Sequence, residues 1–169
     1  MTAIETGTTR RREYTWSDPT ELAAAAADAD GLTFLQRLAD GTLPPPPILH
    51  TLGGRLVTVA PGEVTFELDA QEYHYNPIGS VHGGVYATLL DSACGCAVQS
   101  TLPAGTGYTS LDLAVKFVRG ITVDTGTVTC TGRVVHGGRR TALARAEIHD
   151  AGGRLLGEAS SSCLILTGR

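Results

Sequence analysis

A single long helical segment that is followed only by β-type segments constrains the fold of this chain more than any other feature. Residues 83–100 predict a helix, because apolar side chains recur four residues apart and form one continuous face. The rows of that face are Val85, Leu89, Ala93 and Ala97, and Tyr86, Leu90, Cys94 and Val98. Four segments typical of strands follow, at residues 108–119, 122–135, 140–150 and 154–167, with predicted hairpin turns at 134–142 and 150–154. This order predicts an α+β domain in which the helix packs on an antiparallel meander.

The chain before this helix divides into an extension and the start of the sheet. Residues 1–16 are polar and predict a mobile tail. Two short helices should follow, the first capped by Asp18 and the second at residues 32–39. The four prolines at 44–47 predict an extended linker. Strands at 55–60 and 63–68 should then flank a turn at Pro61 and Gly62. We therefore expect a tail and helical extension over residues 1–43 and the main domain over residues 44–169.

Charge and cysteine content argue against several classes of protein. The chain has 169 residues, a formal net charge of −4 and one lysine, whereas nucleic-acid-binding proteins usually carry a basic surface. No apolar run approaches the roughly 20 residues that a membrane span needs. No apolar segment of the signal-peptide type follows the arginines at 10–12. The four cysteines form no C-x-x-C pair, which argues against a zinc site and favours a reducing compartment. We expect a cytoplasmic protein with no nucleic-acid or membrane partner and no bound metal.

The junction where the long helix begins has the features of an oxyanion site. His82, Gly83 and Gly84 stand there, and the first N–H groups of a helix lack internal acceptors and lie at the positive end of its dipole. Gly83 has no side chain to shield its amide, so that amide could stabilise a carbonyl oxygen that gains negative charge. The same tripeptide at 136–138 is followed by a strand-like segment and predicts only a hairpin turn.

One carboxylate, that of Asp91, interrupts the small-residue face of the same helix. Asp91 follows Gly83 by eight residues, which is about 12 Å along a helix axis. A catalytic base and an oxyanion donor must both lie within about 3 Å of the reacting centre. One helix cannot satisfy both conditions. A second, antiparallel copy could bring its Asp91 beside the Gly83 of the first, so cooperation between these residues requires an oligomer.

These motifs resemble the hotdog-fold thioesterases, in particular the PaaI-like acyl-coenzyme A thioesterases. The resemblance runs from about residue 44 to residue 166 and is strongest in HYNPIGSVHGGVYATLLDSACGCAV (74–98) and GYTSLDLAVKFVR (107–119). Its distinctive part is an Asn, then His-Gly-Gly, then an Asp nine residues after the His. The resemblance implies a long central helix wrapped by a curved antiparallel sheet. It also implies pairing of protomers as homodimers, or as homotetramers built from two dimers.

The resemblance further implies a role for each matching residue. Gly83 would donate its amide to the oxyanion, Asn76 would orient the thioester or the attacking water, and His82 would support the turn. Asp91 of the partner chain would act as general base or as nucleophile. Ser110 would assist Asp91 or its water. The active site would therefore lie across the dimer interface.

The implied substrate is an acyl-coenzyme A, whose thioester would be hydrolysed without a metal or redox cofactor. Coenzyme A is part of that substrate, and its phosphates should meet surface arginines. The candidates are Arg119, Arg139 and Arg140. Two alternatives stay open. A non-catalytic acyl-coenzyme A-binding protein could use the same amide, and a hotdog hydratase could act on enoyl thioesters, although Asp91 lies deeper in the helix than the usual hydratase pattern.

Overall fold

Three short helices precede the sheet in the computed structural model, which describes residue 7 and residues 9–167. They are α1 (Pro19–Asp28), α2 (Gly31–Ala39) and α3 (Pro47–Leu52). Asp18 is the N-cap of α1, as predicted, and its side chain accepts a hydrogen bond from the Thr20 amide at 2.9 Å. Asp30 caps α2 in the same manner through the Thr33 amide, also at 2.9 Å. The predicted helical extension is therefore confirmed, and the domain boundary at residue 44 stays a prediction.

The proline run is extended over only part of its length. Pro46 has extended backbone angles (φ −63°, ψ 149°), but Pro47 is the first residue of α3. Proline fits the first turn of a helix, because its missing N–H would have no intrahelical acceptor there. The prediction of an extended linker through residue 47 is therefore wrong at its last residue.

The predicted N-terminal tail lies partly against the body of the domain. Residues 1–6 and 8 of that prediction lie outside the described residues. Arg12 donates hydrogen bonds to the carbonyl groups of His50 (2.8 Å) and Thr51, and its guanidinium lies 3.9 Å from the ring centroid of Tyr73. These contacts hold the chain around Arg12 in place although it forms no helix or strand.

Seven strands form one antiparallel sheet within the described residues. They are β1 (Gly54–Ala60), β2 (Glu63–Asp69), β3 (Thr106–Ser110), β4 (Ala114–Phe117), β5 (Thr127–Gly137), β6 (Thr141–Asp150) and β7 (Leu155–Thr167). The strand order is β1-β2-β5-β6-β7-β3, and β4 also pairs with β7. The predicted meander is confirmed for β5, β6 and β7, which are joined by the two predicted hairpin turns.

The segment predicted as one strand at 108–119 consists of two strands, and it does not belong to the meander. Both β3 and β4 pair with β7 at the edge of the sheet. The interruption lies at Asp112, whose carboxylate accepts a hydrogen bond from the Ser162 amide at 3.0 Å and whose carbonyl accepts one from the Ser161 hydroxyl at 2.8 Å. The strand predicted to begin at residue 122 begins at Thr127, after one 3-10 turn.

The long helix α4 (Gly83–Gln99) packs across this sheet through its predicted apolar face, all of which is buried. It contacts strands from β2 to β3. At about 4.8 Å per strand these span about 19 Å, whereas a helix is only about 10–12 Å wide, so the sheet must curve around α4. A Cβ atom on Gly132 of β5 would overlap the Ala93 carbonyl, so this close packing requires glycine. The predicted hotdog architecture is confirmed. No helix in the part of the chain that the structure describes is long and apolar enough to cross a membrane.

The loop before α4 contains a buried histidine, His74, which is 4% exposed. Its Nδ1 atom accepts a hydrogen bond from the Gln71 amide at 3.1 Å, and Nε2 therefore donates to the Leu52 carbonyl at 2.7 Å. Burial lowers the pKa of His74, because the charged form loses its hydration. An unfolded histidine has a pKa of about 6.5. Below that pH the unfolded chain binds the extra proton more readily, so acid favours unfolding.

We expect His74→Gln to lower the free energy of unfolding at pH 7 but to flatten its decrease between pH 7 and pH 5. One such group contributes at most about 1.4 kcal/mol per pH unit. Urea denaturation at one fixed protein concentration measures both quantities. His136→Gln, the same substitution at an exposed position, is the matched control. Equal slopes in the wild type and His74→Gln would show that another group causes the acid sensitivity.

Candidate active site

The first turn of α4 leaves one backbone donor without an acceptor. His82 is the N-cap, and its Nδ1 atom accepts a hydrogen bond from the Gly84 amide at 2.9 Å. Its carbonyl accepts another from the Val85 amide at 2.9 Å. Within residue 7 and residues 9–167, no group accepts a hydrogen bond from the Gly83 amide. That amide lies at the positive end of the helix dipole and is available to an oxygen of a ligand.

A cavity of about 350 Å³ borders Gly83. It is lined by Asn76, Ser80, Val81, Gly83, Tyr86, Phe117, Val118, Arg119 and Gly120. The Phe117 ring meets the Tyr86 ring edge-on, with centroids 5.4 Å apart. It also stands over Gly83, where a Cβ atom would lie 3.0 Å from Phe117 Cζ. The cavity therefore combines aromatic walls with one backbone donor.

Asn76 shapes the loop that lines this cavity. Its Oδ1 atom accepts hydrogen bonds from the amides of Ile78 (3.0 Å) and Ser80 (3.4 Å), and Nδ2 donates to the Ser80 hydroxyl at 3.3 Å. This turn holds the Asn76 side chain in one orientation. An amide nitrogen carries two hydrogens, so a second donor remains for a ligand. The role of Asn76 in orienting a thioester or a water stays a prediction.

Asp91 and Ser110 meet on the side of α4 that faces β3. The Ser110 hydroxyl donates a hydrogen bond to Asp91 Oδ1 at 2.9 Å. Asp91 is half-buried in the middle of α4, and Ser110 is the last residue of β3. Oδ2 of Asp91 has no hydrogen bond among the described residues, so it can accept a proton from water or approach a carbonyl carbon. The structure therefore brings together two residues that lie far apart in the sequence.

Tyr108 is a neighbour of this pair that the sequence did not single out. Tyr108 and Ser110 are two residues apart on β3 and share one face of the strand, as Asp91 and Gly95 share one face of the helix. A Cβ atom on Gly95 would lie 2.7 Å from Tyr108 Cε2 and closer still to the hydroxyl oxygen. Burial and the nearby Cys96 and Asp91 raise the pKa of Tyr108 well above its usual value. The two-residue spacing on the strand and the four-residue spacing on the helix are visible in the sequence and could have identified Tyr108.

The three arginines proposed for the phosphates of coenzyme A lie in two places. Arg119 lines the Gly83 cavity and donates a hydrogen bond to the Leu155 carbonyl at 2.6 Å. Arg139 and Arg140 line another cavity, of about 620 Å³, beside the end of β7. A single chain therefore does not gather all three around one phosphate group.

The cysteines are poorly suited to nucleophilic chemistry. Burial raises the pKa of Cys94 and of Cys96 to about 12, so both thiols stay protonated near neutral pH. All four cysteines are free. Among the residues with described positions, no group of three or more His, Cys, Asp or Glu side chains could hold a metal ion. The expectation that the function needs no metal stays a prediction.

The candidate site therefore consists of two halves on one helix. Gly83 and the cavity beside it form the first half, and Asp91 with Ser110 forms the second. The eight-residue separation corresponds to about 12 Å along the helix. The cavity at Gly83 is not lined by Asp91. One chain cannot place both groups on the same carbon atom.

Comparison with known proteins connects this geometry to a family. The model of the thioesterase superfamily matches residues 78–156. Human acyl-coenzyme A thioesterase 13 is 38% identical over 63 residues, which cover 37% of this chain and 44% of that protein. The chain therefore spans less than half the length of this curated relative.

Solved structures extend the similarity to most of the domain. A putative thioesterase of Ralstonia eutropha JMP134, described as a phenylacetic acid degradation-related protein, is 27% identical, with a TM-score of 0.69 over 77% of this chain and 98% of that one. The PaaI protein of E. coli has a TM-score of 0.70 over 79% of this chain and 94% of that one, and its 21% identity supports the fold alone. The matched segment contains Gly83, Asp91 and Ser110, the residues at the centre of the two halves. Sequence, fold and local geometry therefore agree: residues 78–156 match the thioesterase superfamily, and the chain has the hotdog fold of the PaaI-like thioesterases.

Proposed function

We propose that this protein hydrolyses the thioester of an acyl-coenzyme A to a free acid and coenzyme A. The observation that carries the proposal is the pair of complementary groups on α4, an amide without an acceptor at Gly83 and a carboxylate held by Ser110 at Asp91. The name of the human relative, an acyl-coenzyme A thioesterase, supports this substrate class. The matched residues include both groups.

In this proposal Gly83 stabilises the charge that develops during attack. The carbonyl oxygen of the thioester becomes an oxyanion when the carbonyl carbon turns tetrahedral. The Gly83 amide donates a hydrogen bond to that oxygen, and the helix dipole adds a favourable field. His82 keeps the first turn of α4 in place by accepting the Gly84 amide, so that the neighbouring Gly83 donor is already oriented.

Asp91 then supplies the base or the nucleophile. As a base it takes a proton from water while the water oxygen attacks the carbonyl carbon, and the carbon–sulfur bond breaks to release coenzyme A. As a nucleophile it attacks the carbonyl carbon, the carbon–sulfur bond breaks to release the coenzyme A thiolate, and water then hydrolyses the mixed anhydride to the free acid and the Asp91 carboxylate. The Ser110 hydrogen bond fixes Oδ1 and leaves Oδ2 to act in either route.

The proposed site uses two protomers. The separation of about 12 Å between Gly83 and Asp91 along α4 requires that the partner's Asp91 approaches the Gly83 of the first protomer. A two-fold dimer creates two such sites. Arg119 lines the same cavity as Gly83 and is therefore the arginine best placed to meet a phosphate of coenzyme A.

Release of free thiol from a panel of short, medium, long and aryl acyl-coenzyme A substrates tests this function. We expect turnover of at least one substrate without added metal, and no loss of activity with a chelator. Binding of the panel without any turnover would favour the non-catalytic alternative. If an enoyl-coenzyme A is assayed beside the panel, loss of its conjugated enoyl absorbance would favour a hydratase. Activity that a chelator abolishes and zinc restores would contradict a metal-free mechanism.

A further inference from the structure

We propose that Tyr108 is a specificity-determining residue that closes the acyl pocket one helical turn beyond Asp91. Its hydroxyl would bind an oxygen on carbon 3 of a short acyl group. The expected substrate class is therefore the short-chain 3-hydroxyacyl-coenzyme A thioesters. This inference rests on the proposed thioesterase function and adds to it the choice of acyl group.

The geometric basis is a pair of matched contacts between β3 and α4. Ser110 of β3 contacts Asp91 of α4 through a hydrogen bond of 2.9 Å. Two residues earlier on the strand and four residues later on the helix, Tyr108 lies directly on Gly95. Alternate residues of a strand share a face, and so do residues i and i+4 of a helix. Both contacts therefore lie on the same side of α4, in the space between α4 and β3.

Tyr108 blocks that space beyond Asp91. Its hydroxyl and ring edge occupy the position of a missing Gly95 side chain, so an acyl chain cannot continue along the helix there without moving the ring. The Gly95 end of this helix face is buried, so it suits the apolar acyl group. The large polar coenzyme A part suits the open cavity beside the Gly83 of the other chain.

The Tyr108 hydroxyl has no hydrogen-bond partner within the described part of the chain. Two other tyrosine hydroxyls that pack against the domain do have partners: Tyr86 donates to the Arg119 carbonyl at 2.7 Å, and Tyr75 accepts from the Val123 amide at 2.8 Å. Tyr108 is half-buried, and no fully buried polar side-chain atom of the described residues lacks a partner, so the Tyr108 hydroxyl reaches solvent and is open to a ligand. Because burial raises the pKa of Tyr108, this hydroxyl remains a neutral donor near pH 7.

The spacing along the helix selects the position of the substrate oxygen. Asp91 and Gly95 are separated by four residues, which is about 6 Å along the axis. A hydrogen bond to Tyr108 occupies about 2.8 Å of that distance. The span left between a thioester carbon beside Asp91 and the Tyr108 hydroxyl is therefore short, and we place the substrate oxygen on carbon 3, which is only two bonds from that carbon.

The test compares 3-hydroxybutyryl-coenzyme A with 3-methylbutyryl-coenzyme A, which replaces the hydroxyl by a methyl group of similar size. In Tyr108→Phe we expect kcat/KM for the hydroxylated substrate to fall about 10-fold, with little change for the methyl analogue. In Tyr108→Ala we expect the preferred straight-chain length to increase. Tyr73→Phe serves as the control, because Tyr73 packs on Arg12 away from Asp91 and should keep the wild-type selectivity.

Two results would overturn the inference while the thioesterase function stands. The first is a ratio of the two kcat/KM values that is the same in Tyr108→Phe and the wild type. The second is an unchanged chain-length profile in Tyr108→Ala, or in Tyr108→Leu if the alanine variant does not fold. A wild-type protein that hydrolyses no substrate would instead reject the proposed function itself.

Discussion

Gly83→Pro is expected to lower kcat about 100-fold or more, whereas Gly83→Ala should remain within a few-fold of the wild type. Proline removes the N–H group that the proposed oxyanion site needs and bonds its Cδ atom to that nitrogen. The loss of one such donor costs about 10²- to 10³-fold in other enzymes. The fold should tolerate the change, because proline is favoured at the first position of a helix. The preceding His82 already has the extended angles that proline requires (φ −64°, ψ 140°).

The alanine variant separates the lost donor from a steric effect. Either substitution adds a Cβ atom 3.0 Å from Cζ of Phe117, so the alanine variant reproduces this contact while it keeps the N–H group. Phe117 is 60% exposed and can move aside. Thiol release gives kcat, and thermal unfolding confirms that both variants fold. If a folded Gly83→Pro protein retains wild-type kcat, the Gly83 amide is not the oxyanion donor.

A co-refolded mixture of Gly83→Pro and Asp91→Asn chains is expected to regain about a quarter of wild-type activity. Asparagine has almost the shape of aspartate but cannot take up a proton or attack as a carboxylate, so Asp91→Asn alone should lose about 100-fold or more. Random pairing of equal amounts makes about half of the dimers mixed. Each mixed dimer contains one intact site, with Gly83 from one chain and Asp91 from the other.

The counterpart site in the same dimer carries both lesions, which is why the recovery is a quarter and not a half. The measurement is thiol release by the mixture beside each variant refolded alone. Tags of different size on the two chains, resolved by native mass spectrometry, report how many mixed dimers form. If mixed dimers form and activity stays at the level of the two parents, Gly83 and Asp91 act within one chain or do not act together.

Much of the fold could be predicted from local patterns along the chain. The apolar rows of α4 specified a helix with one buried face, and every residue of those rows is buried. Turn residues between 134–142 and 150–154 specified the hairpins that join β5, β6 and β7. Asp18 specified the start of α1 through a bond to the nearby Thr20 amide. These features involve residues close in sequence, so the local physics of propensity, capping and turns decides them.

The placement of β3 and β4 depended on contacts that local patterns do not contain. Their alternation resembles that of a meander strand, but pairing with the long edge of β7 and the bonds of Asp112 to Ser161 and Ser162 put both at the other side of the sheet. Strand order depends on pairing between residues that lie far apart in the sequence, such as Ser110 with Cys163. That is a property of the assembled domain.

The features of the candidate site likewise divide into those that local sequence decides and those that contacts between distant residues decide. The sequence by itself determined the first-turn amide of Gly83 and the isolated carboxylate of Asp91, because both follow from helix geometry and from the absence of local partners. Only the tertiary structure decided that Ser110 bonds Asp91, that Tyr108 lies on Gly95, and that Arg139 and Arg140 line a cavity apart from Arg119. The reason is that the sequence of a strand shows which residues share a face, but not what that face contacts. The position of β3 along α4 is set only when the sheet folds around the helix.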